Sequence, residues 1–169
     1  IICSKKFNNK FKLKGLVTNQ DFYNGFINEF KNYKNVEFIS NASRNEEKII
    51  GIIKKHKINL LISTQHVWIL SNEILDLVKG AAFNLHNSKL PNYKGYNSIS
   101  HAILNSDKEY TSTIHLMEKE VDSGTIIVEK STKISKHDTA LNLYKKTLLT
   151  AAESFQTLLK ILIQKNINE

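Results

Sequence analysis

Apolar and polar residues along this chain follow two periods, one typical of strands and one typical of helices. Uninterrupted or alternating apolar residues predict strands at 16–18, 36–39, 58–63, 81–86, 111–117 and 125–128. Apolar residues three and four positions apart predict helices at 44–56, 69–78, 98–104 and from about residue 138 onwards. Because strands and helices alternate, we expect an α/β fold: a single domain with a doubly wound, mostly parallel sheet and helices on both faces.

Two of the helices have predicted boundaries. Ser43 is a candidate N-cap for the helix at 44–56, with Glu46 three residues later as its capping-box partner. The last helix is predicted to begin near Asp138, also a candidate N-cap. It has an apolar stripe more typical of a core face than of a subunit interface, formed by Tyr144, Leu148, Ala151, Ala152, Phe155, Leu159 and Leu162.

The composition is that of an ordinary globular protein, since 41% of the 169 residues are hydrophobic and 24% are charged. No apolar segment approaches the roughly 20 residues that span a bilayer, and no secretory signal is present, so we predict a cytoplasmic protein with no membrane partner. The single cysteine, Cys3, excludes an internal disulfide and is interpreted as a small buried residue at a strand end.

The net charge of +8, from 24 basic and 16 acidic residues, favours anionic partners such as phosphorylated metabolites. The lysines are spread along a chain that is also rich in Asn and Ile, so a biased composition explains much of the charge. We therefore predict no nucleic-acid partner. No Cys/His pair has zinc-finger spacing, and no metal site is expected.

The first βα unit is shorter than a doubly wound fold normally has. Residues 1–3 are followed by a polar segment at 5–10 that lacks a convincing amphipathic helix. We interpret this either as an abbreviated first unit or as a fragment with pieces missing. The chain also ends soon after its last helix, which leaves no room for a further β domain.

The residues that carry chemistry begin at the end of the strand at 81–86. Asn84 and His86 are two positions apart, and the period of a strand places both side chains on one face. They lie at the carboxyl end of the strand, the edge of an open α/β sheet at which ligands bind. An amide donor beside an imidazole can stabilise a developing oxyanion and handle a proton at the same place.

Asp122 lies in a tight turn between the last two predicted strands. A carboxylate near an imidazole would fix its tautomer, balance its cation and accept a proton from an attacking amine. Each residue also has an ordinary interpretation. Asn84 would cap a strand end, and His86 would be a satisfied edge histidine. Asp122 would form a turn with Gly124.

The string N-x-H-x-S-x-L-P-x-Y-x-G at 84–95, followed by a strand and by V-D-x-G at 121–124, resembles the folate-dependent formyltransferase family. The match runs from about Ile58 to Val128, with the motifs in the family's order. The resemblance implies the family's doubly wound fold, 10-formyltetrahydrofolate as the formyl donor, and no metal.

The resemblance also implies that Asn84, His86 and Asp122 are the catalytic residues. An amine would attack the formyl carbon directly, and Asn84 and charged His86 would stabilise the tetrahedral oxyanion. Asp122 would take the amine proton and help to deliver it to the departing folate nitrogen. In the family, the loop after the preceding strand lines the pterin pocket, and the loop at 121–124 closes its other side. The expected pterin contacts are Gln65, Trp68, Ile69, Leu70, Val121 and Gly124, with His66 a weaker candidate and core packing the alternative for Trp68.

The residues after Gly95 are most similar to bacterial sugar N-formyltransferases. These enzymes act on nucleotide-linked amino sugars such as dTDP-4-amino-4,6-dideoxyglucose, in the synthesis of lipopolysaccharide O-antigen, and are commonly dimers. Lys89 or Lys94 would contact the diphosphate, with a solvated surface charge as the alternative. Tyr96 would stack on a ring, and Asn97 would bond to the sugar or only cap the next helix. The expected acceptor contacts are Ser88, Lys89, Tyr93, Lys94, Gly95, Tyr96 and Asn97.

Other functions stay open from the sequence. A formyltransferase acting on glycinamide ribonucleotide is disfavoured because residues 1–15 contain no glycine-rich phosphate loop. One acting on methionyl-tRNA is disfavoured because we expect no further domain after the last helix. A remnant that binds folate or nucleotide without turnover is the non-enzymatic alternative. Of the other histidines, His101 is expected to be structural or exposed, and His115 is expected to lie away from the site.

Overall fold

The computed structural model describes residues 10–19, 24, 36–40, 45–65, 68–78, 81–95 and 97–165. The chain divides into two compact units, one formed by Ile1–Leu60 with Trp68–Lys79 and the other by Leu61–Val67 with Gly80–Glu169. The predictions for Cys3, Ser43, His66 and Tyr96 lie outside the described residues.

The first unit contains a parallel strand pair and two helices. Its elements are β1 (Gly15–Thr18), β2 (Glu37–Ser40), α1 (Glu46–His56) and α2 (Asn72–Leu77). α1 places isoleucines at helical spacing, and Ile49 and Ile53 are buried. α1 packs against α2, whose Ile74 is fully buried. Each of these side chains contributes about 1.5–3 kcal/mol of hydrophobic stabilisation relative to exposure.

α1 begins two residues later than predicted. Its N-cap is Asn45, whose side chain makes no capping hydrogen bond. Glu46 and Glu47 place negative charge in the first turn, where the helix dipole favours it. The helix ends at Lys57, which adopts a left-handed conformation that lets Ile58 N donate to Ile53 O at 2.9 Å.

The second unit contains a four-stranded sheet and two helices. Its elements are β3 (Leu61–Thr64), β4 (Ala82–His86), α3 (Ser98–Leu104), β5 (Glu109–Leu116), β6 (Ile126–Lys133) and α4 (Ala140–Gln164). The strand order is β3-β4-β5-β6. β3 and β4 are parallel, whereas β4–β5 and β5–β6 are antiparallel, so this sheet is mixed. The turn predicted at Asp122–Gly124 joins β5 to β6 and thereby makes the hairpin.

α4 packs on β5 and β6 with a face shifted from the predicted stripe. Tyr144 and Leu148 are 36% and 43% exposed, so their assignment to the core is wrong. Thr147 and Ser154 are fully buried instead, because their hydroxyls donate to the carbonyls four residues earlier at 2.8 and 3.0 Å. The buried face consists of Leu143, Thr147, Thr150, Ala151, Ser154, Leu158, Leu159 and Leu162.

The N-cap of α4 is Thr139 rather than Asp138, because Thr139 Oγ1 accepts from Asn142 N at 3.2 Å. Asp138 instead accepts from Ser135 N at 2.8 Å and from Lys146 Nζ at 2.6 Å. The Lys146 ammonium and the Ser135 amide lower the pKa of the Asp138 carboxyl. Among the described helices, α4 included, none is both long and apolar enough to cross a membrane.

Candidate active site

The carboxyl end of β4 positions Asn84 and His86 on one face of the strand, as the sequence predicts. Their neighbours Phe83 and Leu85 are buried, whereas Asn84 and His86 are only partly buried. Both side chains face the carboxylate of Asp122. Asn84 Nδ2 donates to Asp122 Oδ1 at 3.5 Å, and His86 Nδ1 lies 3.9 Å from Asp122 Oδ2. The three residues expected to be catalytic therefore come together.

The turn after β5 brings Asp122 to this place. Asp122 has a left-handed backbone conformation with φ of 53°, and its side chain is only 8% exposed. Gly124 lies so close to β5 that a Cβ atom there would be 2.0 Å from Leu116 O. A residue without a side chain is thus required for the turn to fold back against the end of β5. This close approach keeps the Asp122 carboxylate beside β4.

His115 joins the same cluster, and its expected position away from the site is wrong. The antiparallel register pairs His115 directly with Asn84, which places the two side chains side by side. An irregularity in the β5–β6 pairing falls between Ile114 and His115. His115 Nε2 lies 3.3 Å from both Asn84 Nδ2 and Asp122 Oδ1. The sequence shows that His115 is on a strand, but not which residue it faces on the neighbouring strand.

Hydrogen bonds to backbone carbonyls identify which ring nitrogens carry hydrogen. His115 Nδ1 donates to Leu116 O at 2.7 Å, because a carbonyl oxygen only accepts. A neutral His115 ring then accepts from Asn84 at Nε2, and a charged ring donates to Asp122. His86 Nε2 likewise donates to Tyr93 O at 3.0 Å. His86 Nδ1 is therefore the ring nitrogen that faces Asp122, at 3.9 Å from Oδ2.

Buried polar side chains of β5 hold the loop that follows His86. The Tyr110 hydroxyl donates to Asn87 O, and Ser112 Oγ donates to Asn87 Oδ1 at 3.2 Å. Thr113 Oγ1 donates to Ser88 O at 2.7 Å. Burial raises the pKa of Tyr110, which keeps the hydroxyl protonated as a donor. Sequence reasoning missed these residues, whose only signal is an unbroken run of hydroxyl side chains at 110–113.

The predicted acceptor contacts have different environments. Ser88 is fully buried and its hydroxyl donates to Tyr93 O, and its expected contact with the acceptor stays a prediction. The Tyr93 hydroxyl is bonded within the chain to Asp107 at 2.5 Å. Asn97 occupies the N-cap position of α3 without making a side-chain capping bond. Of the predicted acceptor contacts that the structure describes, the exposed ones are Lys89, Lys94, Gly95 and Asn97.

The predicted pterin contacts divide between the two units. Gln65, Val121 and Gly124 belong to the second unit, and Val121 is half exposed. Residues 68–70 belong to the first unit, where Leu70 is buried and Ile69 is exposed. Their role at the pterin stays a prediction. Within the part of the chain that the structure describes, no group of three or more His, Cys, Asp or Glu residues has the arrangement of a metal site.

Comparison with known proteins gives the family of this chain. The family model described as formyl transferase matches residues 6–159. The bifunctional polymyxin resistance protein ArnA of Wigglesworthia glossinidia brevipalpis is 34% identical over 125 residues, which are 74% of this chain and 19% of that protein. Methionyl-tRNA formyltransferase of Fusobacterium nucleatum subsp. nucleatum is 31% identical over 118 residues, 70% of this chain and 38% of that protein.

A third relative is GDP-perosamine N-formyltransferase of Brucella melitensis biotype 1, 26% identical over 132 residues. That alignment covers 78% of this chain and 51% of the relative. The chain thus spans between about a fifth and a half of the length of these curated relatives.

The fold has close counterparts among solved structures. Phosphoribosylglycinamide formyltransferase from Bacillus halodurans superposes with a TM-score of 0.78 at 21% identity, over 95% of this chain and 87% of that one. The predicted α/β fold is therefore confirmed, with two antiparallel pairings added at the β5 and β6 side. The family inferred from the string at 84–95 and the V-D-x-G motif at 121–124 is confirmed as well: the chain belongs to the formyl transferase family.

Proposed function

We propose that this chain transfers a formyl group from 10-formyltetrahydrofolate to the amine of a nucleotide-linked amino sugar. The observation that carries the proposal is the convergence of Asn84, His86, His115 and Asp122 at the carboxyl end of β4. Together an amide donor, imidazoles and a carboxylate can supply the oxyanion donors and the proton acceptor that acyl transfer to an amine uses. We also propose that the enzyme works in the cytoplasm and that it is a homodimer, as sugar N-formyltransferases commonly are.

The first step is attack of the amine nitrogen on the formyl carbon. The C–N bond forms as the carbonyl π electrons move to oxygen, which gives a tetrahedral oxyanion. Asn84 Nδ2 and a charged His86, through Nδ1, are the donors proposed to stabilise it. Their distances to Asp122, 3.5 and 3.9 Å, are long for hydrogen bonds, so little is lost when they turn to a reactant. One such donor contributes about 10²–10³ in kcat.

The second step moves a proton and breaks the bond to the folate. The attacking nitrogen becomes positively charged and gives its proton to the Asp122 carboxylate, directly or through a water. The oxyanion then collapses, the bond from carbon to the folate nitrogen breaks, and that nitrogen receives the proton. The products are a formamide and tetrahydrofolate, so atoms and charge balance. The low exposure of Asp122 strengthens its interaction with the cationic intermediate.

His115 is proposed to position the other groups. Its Nδ1 is held by Leu116 O, so Nε2 is fixed toward Asn84 and Asp122. In the charged ring, Nε2 donates to Asp122 Oδ1 and orients the carboxylate for proton transfer. For the ligands, we propose that Gln65, Val121 and Gly124 of the second unit contact the pterin. Lys89 and Lys94 are both exposed and are proposed for the diphosphate, and Tyr96 and Asn97 for the sugar.

The identity of the acceptor is the part of the proposal for which a specific alternative has support. Similarity to GDP-perosamine N-formyltransferase, together with the residues after Gly95, supports an amino sugar. Similarity to methionyl-tRNA formyltransferase supports an aminoacyl-tRNA acceptor, at 31% identity. Both acceptors present a primary amine to the same cluster, so the chemistry of Asn84, His86 and Asp122 does not separate them.

The test is an acceptor panel with the full-length protein and 10-formyltetrahydrofolate. The acceptors are GDP- and dTDP-linked 3-amino and 4-amino sugars, glycinamide ribonucleotide and methionyl-tRNA, with the formylated product detected by mass spectrometry. Asp122→Asn is the matched inactive control, because it keeps the shape and removes the proton acceptor. Product from an amino sugar alone supports the proposal. Product from another acceptor alone overturns the sugar assignment, and folate binding without any product supports the non-catalytic alternative.

A further inference from the structure

The loop after β4 is tied to the 105–107 turn by a hydrogen-bonded tyrosine. The Tyr93 hydroxyl donates to Asp107 Oδ2 at 2.5 Å and accepts from Asn105 Nδ2 at 2.9 Å. The hydrogen bond to the Asp107 carboxylate raises the pKa of Tyr93, so the hydroxyl stays protonated and keeps donating. The Tyr93 ring packs against the buried cluster of Ala102, Tyr110 and Leu143.

The backbone of the same residue contacts the catalytic histidine. Tyr93 O accepts from His86 Nε2 at 3.0 Å and from Ser88 Oγ. Tyr93 N donates to Lys89 O at 2.9 Å, which closes the turn. The carbonyl that selects the His86 tautomer therefore belongs to the residue whose side chain Asp107 holds. A carbonyl displaced by about 1 Å is enough to misplace a catalytic group.

We propose that Asp107 is a positioning residue for formyl transfer: by holding the Tyr93 hydroxyl, it fixes the Tyr93 carbonyl that orients the His86 ring. The inference rests on the proposed function, since positioning matters only if His86 acts on the reactant. Asp107 itself lies 21 positions from His86 in sequence, on the turn that precedes β5. Its effect on His86 is exerted only through Tyr93.

Side-chain packing alone does not explain the arrangement. The Tyr93 ring keeps its contacts with the buried cluster when the hydroxyl is removed, so Tyr93→Phe separates packing from the hydrogen bonds. Asp107→Asn keeps an oxygen that accepts from the hydroxyl, whereas Asp107→Ala removes the acceptor. Tyr93→Phe thus tests the hydroxyl, Asp107→Asn tests the negative charge, and Asp107→Ala tests the accepting oxygen.

The first readout is independent of activity. The ¹⁵N chemical shifts of the His86 ring report which nitrogen carries hydrogen. At a pH high enough to leave the ring neutral, we expect the wild type and Asp107→Asn to show the shifts of a ring with hydrogen on Nε2. In Asp107→Ala and Tyr93→Phe, we expect the shifts of a mixture of tautomers. An unchanged Nε2–H pattern in both of these variants would overturn the inference.

The second readout is steady-state kinetics with the best acceptor. We expect kcat to fall about tenfold in Asp107→Ala and Tyr93→Phe, with KM for the folate within about twofold, because orientation of His86 rather than ligand binding is lost. Asp107→Asn and the surface control Glu129→Ala, which changes an exposed acid on β6, should retain wild-type kcat. A higher KM for the folate with an unchanged kcat would contradict the inference.

The two readouts separate the inference from the proposed function. If the wild type forms no product with any acceptor, the proposed function fails, and the ¹⁵N shifts still decide whether Asp107 orients His86. If the wild type is active but both readouts are unchanged in Tyr93→Phe, the inference fails and the proposed function stands. Tyr93→Phe removes one oxygen and leaves the packed ring, so it keeps the test decisive if Asp107→Ala does not fold.

Discussion

Histidine and carboxylate side chains meet in both units of this protein, in two very different ways. In the first unit, Glu37 accepts from Lys55 Nζ at 2.8 Å and from His56 Nε2, and its side chain is 36% exposed. In the second unit, Asp122 is 8% exposed and has two imidazoles at 3.3 and 3.9 Å and an amide at 3.5 Å. The carboxylate is thus closely paired and partly exposed in the first unit, whereas in the second unit it is largely buried and its partners are farther away.

The difference separates an ion pair from a candidate site. The Lys55 ammonium and the His56 ring lower the pKa of Glu37 because they bond its carboxylate directly. An ion pair that is open to water in this way contributes little to the free energy of unfolding. Its carboxylate is already fully paired and is not expected to exchange partners. The longer distances around Asp122 agree with the proposal that these groups tighten around a reactant. Residue types alone therefore do not identify a candidate site. The distances between the groups, their burial and the presence of loosely held donors distinguish it from a surface ion pair.

The largest effect is expected from removing the groups that would act on the oxyanion. Asn84→Ala or His86→Ala should lower kcat for formyl transfer by about 10²–10⁴, because each removes a donor or a proton carrier at the reacting carbon. The matched control is His56→Ala, which removes the imidazole of the surface pair and should keep wild-type kcat. Comparable losses in His56→Ala and His86→Ala would remove the distinction between the two clusters.

A smaller loss is expected from His115, which orients its neighbours. His115→Leu keeps an apolar volume and removes both ring nitrogens, so Asn84 and Asp122 lose a common partner. We expect kcat to fall by about 10–10², measured in the same assay, with the protein still folded. Wild-type kcat in this variant would mean that the contacts of His115 are only structural.

The turn that carries Asp122 should be sensitive to a single methyl group. Gly124→Ala places a Cβ against Leu116 O, so the free energy of unfolding should fall by about 1–3 kcal/mol, and kcat should fall with it. Gly51→Ala is the control, since Gly51 lies inside α1 and a Cβ there meets nothing within 4 Å. That variant should gain about 0.5–1 kcal/mol. Urea unfolding of both variants measures the difference, and equal changes would contradict the role of the close approach.

The smallest effect concerns the pH dependence of stability. The pKa of Glu37 in the folded protein is lowered from 4.5, so its ion pairs stabilise the fold above that value and are lost as pH falls through the lower folded pKa. Glu37→Gln should therefore unfold at nearly the same urea concentration at pH 7 and show a flatter decline of stability below about pH 4.5. A stability curve parallel to that of the wild type in acid would show that the pairing does not form.

Much of the second unit was predictable because local signals agree with the fold. Period two at Asn84 and His86 predicted their shared face, and the short turn at Asp122–Gly124 predicted the hairpin. The meeting of Asp122 with these two residues was implied by the resemblance to the formyltransferase family. The part that failed depends on pairing between distant residues. The register that pairs His115 with Asn84 cannot be deduced from the sequence of either strand alone. The buried face of α4 was mispredicted because its hydroxyl side chains donate hydrogen bonds to backbone carbonyls of the same helix and can therefore be buried.

The account is tested most directly by comparing the two carboxylates in one assay. The measurement is kcat/KM for formyl transfer from 10-formyltetrahydrofolate to the best acceptor, for Asp122→Asn and Glu37→Gln. Both changes replace a histidine-contacting carboxylate by its amide. We predict a loss of at least about 100-fold for Asp122→Asn and a change within about twofold for Glu37→Gln. Similar rates for the two variants would contradict the assignment of Asp122 to the reacting site.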